Sequence, residues 1–311
     1  MTVFFFHLML IAGGGLLSCV LARKEKISAF AGAAGILAGS LGGLATVLGA
    51  MLGGQTCKLE SSWPLPIGSI SAGIDQLSAL FLCAIFGLAA LGAIYGPGYM
   101  PRTGKNPGDR LSWLWLSLLV VAMALVVTAR NAILFLLAWE LMSLSSFFLV
   151  AFENGQEKVR RAAWTYLVAT HLGTAFLLLM FILMGAVCDS FEFDSFAALR
   201  TCDAGLINLL FLLGLVGFGT KAGFYPLHVW LPEAHPAAPS HVSALMSGVM
   251  IKTGIYALMR LVALIGPPPE WWGWVIVAVG VASGILGVVF ALAQHDLKRL
   301  LAYHSVENIG I

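Results

Sequence analysis

Nine apolar runs, each long enough to cross a lipid bilayer, constrain this sequence more than any other feature. They cover about residues 2–22, 28–53, 73–95, 111–129, 131–151, 162–187, 206–231, 242–264 and 271–293, and a tenth begins near Leu300. A helix needs roughly 20 apolar residues to span the hydrocarbon core. Because 59% of the residues are hydrophobic and only 10% are charged, a soluble globular domain is excluded. We therefore predict an all-α polytopic membrane protein with nine to ten transmembrane helices.

The basic residues predict the orientation of these spans. With loops assigned alternately from an outside N-terminus, eleven lysines and arginines fall on the cytoplasmic side and four fall outside, as the positive-inside rule expects. The eleven are Arg23, Lys24, Lys26, Arg102, Lys105, Arg110, Lys158, Arg160, Arg161, Lys298 and Arg299, and the four are Lys58, Arg130, Arg200 and Arg260. The expected location is the inner (cytoplasmic) membrane. The two long loops, 54–72 and 188–205, are expected to form outward surface contacts.

Charge and cysteine content argue against several classes of function. The net charge is +2 over 311 residues, which provides no basic face for nucleic acid. The five cysteines form no CxxC pair, so no iron–sulfur cluster is expected in this chain. The histidines between 228 and 241 have no HExxH spacing and are interrupted by prolines, which argues against zinc. No GxGxxG motif follows a strand, so no nucleotide cofactor is expected either.

Residues 219–253, GTKAGFYPLHVWLPEAHPAAPSHVSALMSGVMIKT, predict a break in the seventh span. Pro226 cannot donate to the carbonyl of Ala222 and its ring crowds that carbonyl, so a helix must kink or break beside Lys221. Gly223 lies at the expected break. Inside a membrane, a broken helix is tolerated only where the freed backbone is buried in protein or lines a wet cavity. An ionisable residue at such a break indicates a transport site.

Two further ionisable residues, Glu140 and Lys252, lie near the middle of their spans. Each is roughly 15 Å from the nearest interface at a rise of about 1.5 Å per residue, and each costs about 2.5–3.5 kcal/mol to insert. One interpretation is that Glu140, Lys221 and Lys252 exchange protons, because burial and pairing shift proton affinity in opposite directions. The other is a buried ion pair between Glu140 and one of the lysines that only fixes helix packing.

Five more residues are candidate proton relays. His171 lies mid-span, and His228 and His241 follow the predicted break. His304 and Glu307 are three residues apart and therefore share a helix face. A lone histidine on a helix is often a satisfied core residue, but histidines at membrane depth are also a common means of proton transfer.

Three motifs together resemble one family of membrane proteins. They are FLLAWELMSL around Glu140, the block at 219–260 that begins GTKAGFYPLHVWLPEAHP, and QHDLKRLLAYHSVENIGI at 294–311. These motifs resemble the antiporter-like membrane subunits of respiratory complex I and of Mrp-type cation/proton antiporters. The AYHSVENIGI ending is more similar to one branch, hydrogenase-4 component B and formate hydrogenlyase subunit 3. The resemblance covers about residues 111–311.

The resemblance implies a fold of fourteen helices with two inverted five-helix repeats. Residues 1–110 would form the peripheral helices 1–3, residues 111–264 the first repeat with helices 4–8, and residues 271–311 the truncated start of the second. It also implies a Glu–Lys pair, Glu140 with Lys221, and a central Lys252 that passes the proton on toward the second repeat. The remaining helices are expected in missing sequence or on another polypeptide.

The function implied is a non-catalytic, proton-translocating membrane subunit of a hydrogenase-4 or formate-hydrogenlyase-like complex. Its partners would be other membrane subunits and peripheral hydrogenase or dehydrogenase subunits, which would carry the nickel–iron and iron–sulfur centres. The alternatives are an Mrp-type Na⁺/H⁺ antiporter subunit, an NADH-quinone oxidoreductase subunit, and a structural scaffold in which the buried charges only fix assembly.

Overall fold

Helices make up most of the computed structural model, which describes residues 1–54, 56–62, 69–99 and 107–311. The first six are α1 (Thr2–Val20), α2 (Glu25–Leu52), α3 (Gln76–Tyr99), α4 (Pro107–Thr128), α5 (Ala132–Val150) and α6 (Glu157–Cys188). The other six are α7 (Ala204–Ala222), α8 (Leu231–Ala237), α9 (Ser240–Leu245), α10 (Lys252–Ile265), α11 (Glu270–Leu292) and α12 (Leu297–Gly310).

The number of membrane-spanning helices agrees with the hydropathy pattern. Within the described ranges, nine helical segments are long and apolar enough to cross a membrane, with α9 and α10 counted together as one span. The predicted all-α membrane fold is therefore confirmed. Arg102, Lys105 and the side chain of Arg110, which the sequence assigns to the cytoplasmic side, lie outside the described residues.

The two long loops contain local structure that hydropathy did not predict. Strands β1 (Cys57–Ser62) and β2 (Ser69–Ile74) form an antiparallel hairpin, and Phe193–Thr201 forms a 3₁₀ helix. The loops bind each other, because Lys58 Nζ lies 2.8 Å from Asp194 Oδ2 and the Ser69 hydroxyl lies 2.9 Å from Glu192 Oε1. Together they cover one end of the helices.

A cluster centred on Asp75 ties the same end together. Its carboxylate accepts hydrogen bonds from both Nη atoms of Arg260, at 2.6 and 2.9 Å, and from the Ser78 amide at 2.8 Å. Arg130 Nη2 lies 3.2 Å from the carboxylate. The cluster joins α3, the α4–α5 connection and α10. Two of the four basic residues predicted to lie outside therefore meet at this end.

Close packing of α7 against α10 depends on Gly254. A Cβ atom at this position would lie 2.6 Å from the carbonyl oxygen of Phe218 and 3.0 Å from the Cβ of Ala222. Small residues allow membrane helices to approach this closely. The contact fixes the position of the end of α7, where Lys221 lies.

We expect Gly254→Ala to destabilise the protein by about 1–3 kcal/mol, because the added methyl group overpacks the α7–α10 contact. The measurement is the thermal unfolding temperature of the detergent-purified chain. Gly284→Ala is the matched control, since a Cβ there meets nothing within 4 Å. Equal unfolding temperatures for the two variants would contradict the packing argument.

Asp75 gives a second stability prediction, with a defined pH dependence. Burial raises the pKa of this carboxyl group. Hydrogen bonds from Arg260 and Ser78 and the charge of Arg130 lower the pKa by more than burial raises it, so it lies well below its usual range. Because the folded-state pKa is depressed, the stabilisation is present above the ordinary aspartate pKa of about 3.9 and is lost as the pH falls toward the folded-state value.

Asp75→Asn should therefore lower the free energy of unfolding by about 1–3 kcal/mol near neutral pH. The difference from wild type should shrink only below roughly pH 4. Thermal unfolding in detergent across this pH range measures both effects. Glu60→Gln, at an exposed strand position of the same end, should change little, and a similar loss in that control would rule out a specific role for Asp75.

Candidate functional site

Helix α7 ends at Ala222, one residue after Lys221, as the sequence predicted. Gly223 follows in the left-handed conformation with φ 81° and donates its N–H to the carbonyl of Gly219 at 2.8 Å. Glycine adopts this conformation without the steric penalty that other residues meet. Residues 225–230 form turns that include Pro226, and a second short helix, α8, follows. The broken segment thus extends to 237, six residues beyond the apolar run at 206–231.

Side chains satisfy backbone groups that the break leaves free. The indole N–H of Trp230 donates to the carbonyl of Thr220 at 2.8 Å, and the amide of Tyr225 donates to the hydroxyl of Ser283 at 3.0 Å. Trp230 is completely buried. This arrangement meets the requirement that irregular backbone at membrane depth be buried in protein.

Lys221 is buried, and neutral groups hold its ammonium group. Nζ donates to the hydroxyl groups of Ser143 at 3.1 Å and Tyr166 at 3.0 Å. It also lies 5.8 Å from the ring centroid of Trp139 and 5.5 Å from that of Tyr166, within the range of a cation–π interaction. Tyr166 in turn bonds to the hydroxyl of Ser146 at 2.5 Å.

Glu140 does not form the direct pair with Lys221 that the family resemblance implied. Its Oε1 accepts from the hydroxyl of Thr174 at 2.6 Å, and its Oε2 lies 3.4 Å from His171 Nε2. Among the described residues, no ion pair within 4.0 Å joins Glu140 to either Lys221 or Lys252. The expectation of a direct contact is corrected for this structure: Glu140 contacts Thr174 and His171 of α6, whereas Lys221 contacts Ser143 of α5 and Tyr166 of α6. Ser143 lies three residues after Glu140, so the hydroxyl that binds Lys221 is on the carboxylate side of α5.

Lys252 follows a π-helical segment, Met246–Met250, that interrupts the predicted continuous span at 242–264. The amide of Ile251 bonds to the carbonyl of Met246 at 3.1 Å, one residue further back than in an α-helix. In an α-helix the Ile251 amide would bond to the carbonyl of Ser247. Here that carbonyl instead accepts a hydrogen bond from Lys252 Nζ at 2.5 Å. Isolated π-helical turns of this kind are frequent at functional sites.

Helix α12 approaches the Lys252 region through a pair of hydroxyl groups. Ser247 Oγ and Ser305 Oγ are 2.7 Å apart. The predicted relay residues His304 and Glu307 contact each other, with Nδ1 2.5 Å from Oε2, but neither has a hydrogen bond or ion pair to Lys252 in the described part of the chain.

The three histidines after the break are buried. His235 Nδ1 lies 3.1 Å from the hydroxyl of Ser243, and the ring of His228 lies 5.4 Å from that of Tyr225. His241 packs against Trp113, with 6.3 Å between ring centroids. Over the ranges that the structure describes, no three histidine, cysteine, aspartate or glutamate side chains converge on a possible metal position.

An open, charged cavity lies at the end of the helices opposite Asp75. Its volume is about 520 Å³, and its charged lining residues are Glu153, Lys158, Glu233, Asp296, Lys298 and Arg299. Arg299 pairs with Glu233 at 3.1 Å, and Lys298 donates to the carbonyl of Ala238 at 2.8 Å. Ala238 and Pro239 also line the cavity, so it reaches the segment just before His241.

The hydroxyl groups of the site were not predicted from the sequence. Ser143, Tyr166, Ser247 and Ser305 all contact a lysine or link it to another helix. Ser143 could have been found from its spacing of three residues from Glu140. The other three have no such signal, because their contacts depend on how separate helices pack.

The chain matches a known protein family and curated relatives. The family described as NADH:quinone oxidoreductase/Mrp antiporter, transmembrane, matches residues 129–311. The chain is 38% identical to hydrogenase-4 component B of Escherichia coli (strain K12) over 88% of its own length and 42% of that protein. It is 30% identical to formate hydrogenlyase subunit 3 of the same organism over 92% of this chain and 44% of that protein.

The fold is similar to that of a solved membrane assembly. The chain superposes on a chain of the Mrp complex from Dietzia sp. DQ12-45-1b with a TM-score of 0.85 and 24% identity, over 99% of this chain and 33% of that one. The chain spans less than half the length of hydrogenase-4 component B and of formate hydrogenlyase subunit 3. The family match covers more than half of the chain and includes Glu140, Lys221 and Lys252. The chain belongs to the NADH:quinone oxidoreductase/Mrp antiporter family of antiporter-like membrane subunits.

Proposed function

We propose that this chain is a proton-translocating membrane subunit of a hydrogenase-4 or formate-hydrogenlyase-like energy-converting complex. The observation that carries the proposal is the environment of Lys221, which is 2% exposed and bound by two hydroxyl groups. A hydroxyl group can accept a hydrogen bond from an ammonium group or donate one to a neutral amine. The site therefore satisfies both protonation states of the lysine, as repeated proton exchange requires.

The proposed proton path is a row of ionisable residues on four helices. Glu140 lies on α5, Lys221 on α7, Lys252 on α10, and the His304–Glu307 pair on α12. The proposed path runs along the membrane midplane through these groups, with His171, His228 and His241 as relays. Ionisable residues at this depth mark proton paths in many transporters.

The cavity opposite Asp75 is the proposed point of access for protons. It is lined by charged side chains and borders the segment that leads to His241 and Lys252. In this proposal residues 111–264 form the first five-helix repeat and residues 271–311 begin the second, so that Lys252 and α12 connect the two.

Partner subunits are proposed to carry out the redox chemistry. Similarity to hydrogenase-4 component B over 88% of this chain supports a complex of that type. Nickel–iron and iron–sulfur centres would lie in the partners, and the chain would lie in the inner membrane with its N-terminus outside. An Mrp-type Na⁺/H⁺ antiporter subunit and an NADH-quinone oxidoreductase subunit are the other assemblies in which the same row could work.

Replacing Lys221 tests the row. Lys221→Met should lower proton translocation by about 10²-fold or more, because an essential proton-exchanging group is lost. The measurement is donor-driven acidification of inverted membrane vesicles, with the amount of assembled complex followed by a tag on the chain. Lys58→Met is the control, since Lys58 lies in the exposed hairpin. Normal proton translocation by the Lys221 variant would show that Lys221 is not required for proton transfer.

Purification of the tagged chain with its partners tests which type of complex contains it. The tagged chain is extracted from membranes in mild detergent, and co-purifying proteins are identified by mass spectrometry. We expect a nickel–iron hydrogenase large subunit together with iron–sulfur proteins. Recovery of only small membrane subunits without redox centres, combined with sodium-dependent proton exchange in vesicles, would overturn the hydrogenase assignment in favour of the antiporter.

A further inference from the structure

His171 contacts Glu140 directly, and the geometry of its ring limits the protonation states of the pair. The residue lies on α6 about midway between Glu157 and Cys188. Its Nδ1 is 2.9 Å from the carbonyl oxygen of Leu167, and its Nε2 is 3.4 Å from Glu140 Oε2. Both ring nitrogens are therefore engaged, one with backbone and one with the carboxylate.

The contact with Leu167 fixes the tautomer of the ring. A carbonyl oxygen only accepts hydrogen bonds, so Nδ1 must carry a hydrogen. Nε2 is then the nitrogen whose protonation can change. If Nε2 and the carboxylate both lacked a proton, a nitrogen lone pair would face a negative charge. A proton on either group replaces this repulsion with an attractive contact.

Thr174 fixes the other oxygen of the carboxyl group. Its hydroxyl oxygen is 2.6 Å from Glu140 Oε1 and 3.1 Å from the carbonyl oxygen of Thr170. The shorter contact assigns the single hydroxyl hydrogen to Oε1. Proton exchange at Glu140 is thereby directed to Oε2, the oxygen that faces His171.

We infer that Glu140 and His171 share one proton and act as a single proton-exchange site, with Thr174 as a positioning residue. This inference deepens the proposed proton translocation and rests on it. In the transfer step the Nε2–H bond of the imidazolium breaks and an O–H bond forms at Oε2. The ion pair becomes two neutral groups, and no electron is transferred. The reverse step restores the ion pair.

The shared site has two distinct sides. Toward the protein interior, the nearby titratable groups are Lys221 of α7 and Tyr166 of α6, which bind each other at 3.0 Å. Toward the surface of the protein, the His171 side chain is 47% exposed. His171 thus lies at a surface of α6 that the rest of the chain leaves uncovered.

Substitution of His171 tests whether proton sharing is needed. Glutamine can donate a hydrogen bond to Glu140 but cannot exchange a proton at neutral pH. His171→Gln should therefore lower donor-driven proton translocation in vesicles by about 10²-fold, in the full complex with unchanged assembly. Wild-type rates in this variant would overturn the inference.

Chemical rescue separates proton exchange from the filling of space. The exposed position of His171 allows a small molecule to occupy the site in His171→Ala. Imidazole in the medium should restore translocation in that variant, whereas pyrrole, which has a similar shape but no basic nitrogen, should not. Equal rescue by both compounds, or rescue by neither in a normally assembled complex, would overturn the inference.

Thr174 has a matched control on the same helix. Thr174→Val should lower translocation and Thr174→Ser should retain it, because only the hydroxyl group is required. Thr170→Val removes a hydroxyl that bonds to the backbone of its own helix and should behave like wild type.

If Lys221→Met loses activity while His171→Gln keeps it, the further inference fails and the proposed function stands. If both keep activity, the proposed function itself fails.

Discussion

The hydrogen-bond requirement of broken backbone in a membrane is the constraint on which the rest of this structure depends. Once α7 ends at Ala222, free carbonyl and amide groups must find partners within the protein. Trp230 reaches back to Thr220, and Ser283 of α11 binds the Tyr225 amide. Because these contacts enclose the break, the last turn of α7 is held at a fixed position against α5 and α6. Lys221 lies in that turn, where the partial negative charge of a helix C-terminus favours a cation.

Hydroxyl groups dominate the immediate surroundings of the charged row. Ser143 and Tyr166 bind Lys221, Thr174 binds Glu140, and the Ser247–Ser305 pair links the Lys252 region to α12. A direct Glu–Lys pair would stabilise one charge state strongly and so resist proton exchange. Hydroxyl groups satisfy charged and neutral forms alike. Close packing of α10 on α7 through Gly254 holds these short-range contacts in place.

The sequence predicted the membrane spans and the break beside Lys221, because apolar runs and proline act locally. The contact between His304 and Glu307 followed from helical spacing. Of the two partners of Lys221, only Ser143 has a sequence signal, its spacing from Glu140, and that spacing does not predict its contact with the lysine. A serine such as Ser143 in an apolar helix commonly bonds to its own backbone, and it does so here at 3.0 Å from the Trp139 carbonyl. Only the packing of α5 against α7 shows its second contact. The hairpin and the π-helical segment also depend on contacts between distant residues.

In the proposed function, the charged groups of the row limit which ion the path can carry. Lys221 and Lys252 contribute two amines, and neither has a carboxylate within 4.0 Å among the described residues. When these amines are protonated, a sodium ion beside them would meet like charge in a medium of low dielectric constant, where repulsion is strong. A neutral amine binds a proton through its nitrogen lone pair and can release it again, whereas it offers a sodium ion only one ligand. In the proposed function, the two amines are therefore better suited to proton transfer than to sodium binding, whichever assembly contains the chain.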